Sequence, residues 1–368
     1  MDNNITIIGV GKLGLGFALL LEHSGYNVLG LDIFPNYVND LNTKNFRSSE
    51  PYYNELLDAS TNFKATTNIQ EAIDFSDLIF IIVQTPNSGG DRFYDHSILS
   101  NVLEKINQYR PKDKNIIIGC TVMPTYIDQV GNDLIKDCED SYLSYNPEFV
   151  AQGDIINGFK NPDIILVGTL NEKLKPRLTK IYQKLCDNEP TFCFMKPLEA
   201  EITKISLNGF LTTKISFANM IYDLCDTLGA NQDTVLNAIG TDSRIGRKYF
   251  RSGYSFGGPC FPRDTKALKQ IMDQNNIYSH ILKGTTESNE WHTEYQAEKL
   301  LSLNQDEYVF ENVSYKEGSS IPIIEESAKL KIAKYLVQKG KRVIIKDYEK
   351  IISEVKKEFG NKFMYQIK

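Results

Sequence analysis

Between Ile5 and Asp32 the chain reads strand, glycine turn, helix, strand, acid. Ile5-Thr6-Ile7-Ile8 is a short apolar strand. Gly9-Val10-Gly11-Lys12-Leu13-Gly14 follows at once, and an apolar helical pattern runs through Phe17, Ala18, Leu20 and Leu21 to a stop at Gly25. Val28-Leu29-Gly30-Leu31-Asp32 is the next strand, closed by a carboxylate. A lone GxGxxG is weak, but set between two strands and opening a helix it is the fingerprint of a dinucleotide-binding βαβ unit. The first glycine serves the tight turn, the second the close approach to a pyrophosphate, and the third the packing of helix on strand. The helix N-terminus offers its unpaired N–H groups to phosphate. Gly9, Val10, Gly11, Lys12, Leu13 and Gly14 are therefore expected cofactor contacts. Asp32 would accept from ribose hydroxyls and repel a 2′-phosphate, which favours NAD over NADP.

The alternation continues. Asp77 to Val83 and Asn115 to Thr121 are unbroken apolar runs of the kind a parallel sheet buries on both faces. Tyr142-Leu143-Ser144-Tyr145, Ile164 to Gly168 and Thr191 to Phe194 complete a Rossmann-type α/β set. Ligands of open parallel sheets lie beyond the carboxyl ends of the strands. That places Gln84-Thr85-Pro86, Thr121-Val122-Met123-Pro124 and Asn146-Pro147-Glu148-Phe149 around a site, with Thr85 and Pro86 over the cofactor.

From Pro197 a helical pattern runs to about Leu228 and ends at Gly229. Lys204 and Asn208 are four apart and share a face of this helix. Together they read either as a snorkelling lysine beside a surface amide or as donors aimed at an oxyanion. A helix this long suits a junction between domains and a dimer contact. Three cations, Arg244, Arg247 and Lys248, then crowd one loop and suit a phosphate-bearing substrate. Next comes Ser255-Phe256-Gly257-Gly258-Pro259-Cys260-Phe261-Pro262-Arg263-Asp264. Its glycines allow backbone close to a ligand. Its cysteine precedes a helical pattern from Thr265 to Met272, and helix N-termini and nearby cations favour the nucleophilic thiolate. The alternative is a turn that happens to hold a core cysteine.

At 368 residues one or two domains of typical size are expected, with room for a small third. A net charge of −6 excludes bulk nucleic-acid binding. The six cysteines show no ligand spacing, so neither a metal nor a disulfide framework is expected, and reduced thiols suit the cytoplasm. No apolar run is long enough to span a bilayer. After helices to about Leu303, Tyr308 to Tyr315 reads as a strand, Glu325 to Gln338 as a helix, and Arg342 to Ile345 as a second strand. This second α/β unit is expected to hold little more than strand–helix–strand–helix.

Over nearly its whole length the sequence resembles the UDP-glucose/GDP-mannose dehydrogenase family. The carrying motifs are the glycine fingerprint with Asp32, Thr85-Pro86, Thr121 to Pro124, Asn146 to Phe149, Lys204 with Asn208, Arg244-Ile245-Gly246, and Phe256 to Asp264. The resemblance implies an NAD-binding domain at residues 1–196. It implies a long-helix dimerisation domain at 197–303 that carries the cysteine, and a shortened nucleotide-sugar-binding α/β domain at 304–368.

The activity implied is a four-electron oxidation of a nucleotide sugar at C6, foremost UDP-glucose to UDP-glucuronate, a step toward polysaccharide. Cys260 would form a thiohemiacetal and then a thioester. Lys204 and Asn208 would hold the oxyanion, Thr121 and Asp264 a water, and Glu148 would act as base. Thr121 and Arg263 would also meet the cofactor. Glu148, Phe149, Lys204, Asn208, Arg244, Tyr249, Phe256, Gly257, Gly258 and Lys316 would meet the substrate, with Arg244 reaching into the partner's site of a homodimer. Departures from the family pattern are Arg263 for a lysine, Gln152 for a glutamate, Gly119-Cys120 for Lys-Ser, and Ser319-Ser320-Ile321-Pro322 for an acidic pair and an arginine. GDP-mannose and UDP-N-acetylhexosamines are alternative substrates. A two-electron hydroxyacid dehydrogenase and a non-catalytic nucleotide binder are alternative activities.

Overall fold

The computed structural model describes residues 3–90, 92–315 and 321–368. The chain divides into a unit of residues Met1–Lys204 and a unit of Ile205–Lys368.

The first unit is built on eight strands: β1 (Asn4–Ile8), β2 (Asn27–Leu31), β3 (Phe63–Thr66), β4 (Leu78–Ile81), β5 (Asn115–Ile118), β6 (Tyr142–Tyr145), β7 (Ile164–Gly168) and β8 (Thr191–Met195). They lie in the order β3-β2-β1-β4-β5-β6-β7-β8. All neighbours are parallel except β6 and β7, which pair antiparallel through Tyr145 and Gly168. Strand direction there is set by the connection, which no apolar run records.

Continuous apolar strands are explained by burial on both faces. Ile7, Phe80 and Ile117 enter one core with Phe17, Phe159 and Tyr182. Ile8, Ile79, Ile81, Ile116 and Ile118 enter the other with Leu99, Leu103 and Ile106. In the first core the Phe17 ring meets Phe80 edge-on at 5.1 Å and stacks with Phe159 at 5.0 Å and Tyr182 at 6.2 Å. That packing holds the helix Leu174–Leu185 and its Tyr182 in place.

The second unit takes up the helix Pro197–Leu228 after Lys204. Helices Gln232–Thr241, Phe261–Gln274 and His280–Ser302 follow. Gly209 sits where a Cβ would come 2.8 Å from Leu268, so this glycine lets the Phe261–Gln274 helix close on the long one. The chain ends in a parallel three-stranded sheet of β9 (Glu307–Glu311), β10 (Arg342–Asp347) and β11 (Met364–Ile367), in the order β11-β10-β9.

Three expectations are corrected here. The first of these strands stops at Glu311, because Asn312 takes a positive φ of 54°. The helix begins at Ala328, capped by the Ser327 hydroxyl and preceded by Glu326 at φ 53°. A third strand follows the last helix; its short Met-Tyr-Gln-Ile run carries too little apolar pattern to read from sequence. Lys316, Ser319 and Ser320 lie outside the described residues.

Candidate active site

The glycine fingerprint forms as its spacing demands. Gly11 caps the helix Lys12–His23 without a side-chain bond, and Leu15 N–H donates to Gly11 O at 2.8 Å. Gly9 turns at φ 90°, and a Cβ on it would lie 2.5 Å from Ile82 O. A Cβ on Gly14 would overlap Gly9 O, whereas nothing stands within 4 Å of one on Gly11. So Gly9 makes the turn, Gly14 the close packing, and Gly11 the open approach to the helix N-terminus. Asp32 follows directly on β2 and accepts from Phe34 N–H at 3.3 Å. These residues fit a dinucleotide: an open glycine, first-turn N–H groups and a strand-end carboxylate. Val10 is fully buried and its carbonyl accepts from the Tyr37 hydroxyl at 2.7 Å, so it braces the turn. Leu13 packs on the core, and Lys12 Nζ lies 3.5 Å from Gln152 Oε1.

Gly14→Ala therefore forces Cβ into a backbone oxygen that cannot step aside. Overpacking of this kind costs about 3 kcal/mol. Thermal unfolding should fall by roughly 6–12 °C for a unit of this size, and NAD affinity should fall with it. Unchanged melting and NAD titration would refute the packing role.

Beyond the strand ends, Thr85 Oγ1 donates to Thr121 O at 2.9 Å, and Pro86 O accepts from Asp95 N–H at 2.8 Å. The first bond ties the loops after β4 and β5 together, and the second closes the loop after β4 on itself. His96 accepts from Met123 N–H at 3.2 Å and is kept neutral by burial, its pKa lowered to about 4. Cys120 is buried, and desolvation lifts its thiol to about 12, so it is inert at neutral pH.

Glu148 follows β6, and burial pushes its carboxyl up to about 8 against the opposing pull of Lys204. Lys204 is 6 % exposed. Its ammonium donates to the Glu148 carbonyl and sits 4.1 Å above the Phe149 ring centroid. It is thus a buried cation, not a snorkelling one.

Sequence reasoning missed Glu201, one turn before Lys204 and fully buried. Its carboxylate accepts from Thr125 N–H at 2.7 Å and Ile127 N–H at 2.9 Å. Thr125 has a φ of 80° and a π-helical turn, Ile127–Gly131, comes next. Glu201 thereby anchors the loop that carries Thr121. The i, i+3 spacing to Lys204 was the only available signal.

In the second unit Cys260 is exposed and is the N-cap residue of the helix Phe261–Gln274. All six cysteines are free thiols. Asp264, 1 % exposed, lies in that helix's first turn, where the dipole favours a carboxylate. Asn208 Nδ2 donates to Asp264 Oδ2 at 2.6 Å.

The approach to the cysteine is clasped by a residue that no local pattern marks. Asn289 Oδ1 accepts from Phe256 N–H at 2.8 Å, and its Nδ2 donates to Phe256 O at 3.0 Å. Buried His292 bridges Asp223 at 2.7 Å and Gly253 O at 2.8 Å. The two glycines face the chain itself: a Cβ on Gly257 would overlap Glu326 O, and one on Gly258 the Tyr315 ring. Tyr249, at φ 60°, lies edge-on to Phe261 with centroids 6.0 Å apart. Arg244 is exposed and ion-paired with Asp242 at 2.7 Å. Arg263, partly buried, stands in the same first turn as Asp264.

Among the described residues no group of three or more His, Cys, Asp or Glu is placed to hold a metal, and no helix is long and apolar enough to cross a membrane.

A glycine-opened βαβ unit ending in Asp32, on a doubly wound sheet, defines a dinucleotide-binding protein of the Rossmann type. Family models narrow this. Residues 3–186 match the NAD-binding domain of the UDP-glucose/GDP-mannose dehydrogenase family, and residues 198–291 match its central domain. The chain belongs to that family and is an NAD-dependent enzyme. It is 31% identical over 346 residues to a UDP-glucose 6-dehydrogenase of Rickettsia bellii, covering 92% of this chain and 79% of that one. A solved UDP-glucose dehydrogenase from Pyrobaculum islandicum superposes with a TM-score of 0.88 at 26% identity, over 99% of this chain and 86% of that chain. A UDP-D-ManNAc dehydrogenase from Pyrococcus horikoshii shares the fold, with a TM-score of 0.79 at 23% identity over 94% of this chain and 83% of that one.

Proposed function

We propose that this enzyme oxidises the C6 hydroxyl of UDP-glucose to a carboxylate in two hydride steps, with Cys260 as covalent nucleophile. The observation that carries the reading is the exposed Cys260 at a helix N-cap, one turn before a buried Asp264 that is bonded to Asn208. The relatives named UDP-glucose 6-dehydrogenase support the choice of sugar.

NAD would lie at the Gly9–Gly14 turn, over the open Gly11, with Asp32, Thr85, Pro86, Thr121 and Arg263 around it, and would supply the hydride acceptor. In the first step the alcohol also loses its O–H proton, which a water held by Thr121 and Asp264 would relay to bulk solvent. The Cys260 thiolate then bonds the aldehyde carbon, and the carbonyl electron pair moves to oxygen. Lys204 and Asn208 meet that oxyanion. Asn208 gives one amide N–H to Asp264 and has a second to offer. Loss of the second hydride leaves a thioester. Glu148, with its pKa lifted to about 8, takes a proton from water near operating pH. The hydroxide adds, the C–S bond breaks, and Cys260 departs as thiolate.

Phe149, Tyr249, Phe256 and Lys316 complete the substrate contacts in this reading, with Gly257 and Gly258 offering only backbone, since their Cβ sides pack on Glu326 and Tyr315. The working division is NAD binding in residues 1–196, the cysteine and dimer contact in 197–303, and the nucleotide grip in 304–368. The test is to titrate the enzyme with UDP-glucose, UDP-N-acetylhexosamines and GDP-mannose while counting NADH. About two NADH per UDP-glucose is expected, one per hydride step; a single NADH with aldehyde released would sink the reading.

The reading includes a homodimer through the long helix. Phe210, Phe217 and Leu224 are seven apart, and with Met220 all stay 44–65 % exposed, an apolar stripe along one helix face. Arg244 would exchange Asp242 for the partner's substrate. Leu224→Asp should weaken dimerisation at least about 30-fold in sedimentation equilibrium; an unchanged dimer would place the interface elsewhere.

A further inference from the structure

Tyr182 lies in a chain of hydrogen bonds whose directions can be counted. The Asn146 side-chain N–H donates to Leu166 O at 2.9 Å, which turns its Oδ1 the other way. That Oδ1 lies 2.6 Å from the Tyr182 hydroxyl. An amide oxygen only accepts, so Tyr182 gives Asn146 the one proton a phenol has. The Tyr182 oxygen also lies 3.3 Å from Glu148 Oε1. With its own proton engaged, Tyr182 can there only accept, and a carboxyl can donate only when protonated. Tyr182 and Asn146 are themselves almost fully buried, Tyr182 within the aromatic stack on Phe17.

We infer that Tyr182, oriented by Asn146, is a positioning residue that holds the proton of Glu148 on Oε1 in the resting enzyme. Glu148 must release that proton to bulk water before it can take one from the hydrolytic water, and Tyr182 is the acceptor it leaves behind. The inference rests on the reading of Glu148 as the base. Burial favours the same neutral form and lifts the carboxyl to about 8 even with the Tyr182 proton turned toward it, an orientation that by itself lowers Glu148 and that the Asn146 bond takes away. The other groups facing Glu148 are Lys204 on the long helix, whose charge favours ionisation, and Cys186 at the end of Leu174–Leu185, whose own thiol is raised to about 11 by burial.

The test is an infrared titration of the full-length enzyme. The C=O stretch of a protonated carboxyl, present in wild type and absent in Glu148→Gln, reports the Glu148 proton directly. In Tyr182→Phe the acid form loses its acceptor while the ring keeps its place in the core. The band should then disappear at a pH lower by roughly one unit, the worth of one buried hydrogen bond. Asn146→Ala is a second variant: it frees the Tyr182 proton to turn toward ionised Glu148 and moves the band the same way. Absence of the band in wild type at neutral pH, or a titration that stays put or moves upward in Tyr182→Phe, overturns the inference. Full four-electron turnover by Glu148→Gln would instead overturn the reading of Glu148 as base, and would leave the infrared result standing.

Discussion

Cys260→Ser is expected to abolish formation of acid, with NADH production from UDP-glucose falling on the order of 10³-fold or more. The physical reason is leaving-group chemistry. A thiolate attacks the aldehyde readily and departs readily from the acyl carbon; an alkoxide at the same place does neither at neutral pH. The position amplifies the difference. Cys260 is exposed and faces the first turn of a 14-residue helix, whose dipole favours negative charge there. Neither the melting temperature nor NAD binding should change, since an exposed N-cap serine is a good cap. The check is NADH counting beside thermal unfolding. Retained acid formation would remove the covalent step, and loss of fold would show that Cys260 is structural.

Lys204→Met is expected to lower kcat by roughly 10²–10³, the range seen on removing one oxyanion donor. Methionine keeps most of the stem volume and removes only the charge. The same change carries a pH signature of definite sign. Lys204 pulls the Glu148 carboxyl down, against burial. Without that cation the ionised form is less favoured, so the pKa of Glu148 rises above about 8. A base acts only when deprotonated, so the acid limb of the rate profile moves to higher pH. This is opposite to the shift expected for Tyr182→Phe. A profile at reduced kcat but unmoved pH would mean that Lys204 acts on the oxyanion without tuning Glu148. Unchanged kcat would remove it from the chemistry.

Lys204 and Glu201 show how a buried charge is tolerated. The ammonium gives a proton to a carbonyl and lies against an aromatic face. The Glu201 carboxylate takes two backbone N–H groups. Each satisfied group also fixes a loop, so the side chains that line the site are held by the partners that offset their desolvation.

The glycine fingerprint, Asp32 and the apolar runs of β1, β2, β4 and β5 were legible because each is a local pattern. Turn geometry, helix start and burial on two faces are dictated within a few residues. The stretch from Phe256 to Asp264 was legible only in part, since its helix begins at Phe261, four residues before the pattern that starts at Thr265; the helix that carries Lys204 and Asn208 was legible from its periodicity. Other features depend on residues far apart in the chain, and only the tertiary structure decided them. The antiparallel turn of β7 against β6 follows from a connection, not from either strand. The glycines at 257 and 258 face Glu326 and Tyr315, more than fifty residues away. Asn289 clasps Phe256 across 33 residues. Nothing in the local sequence marks Tyr182; Asn146, 36 residues earlier, decides which way its proton points. Hydrogen-bond direction is a property of a closed set of partners, and the chain assembles that set only by folding.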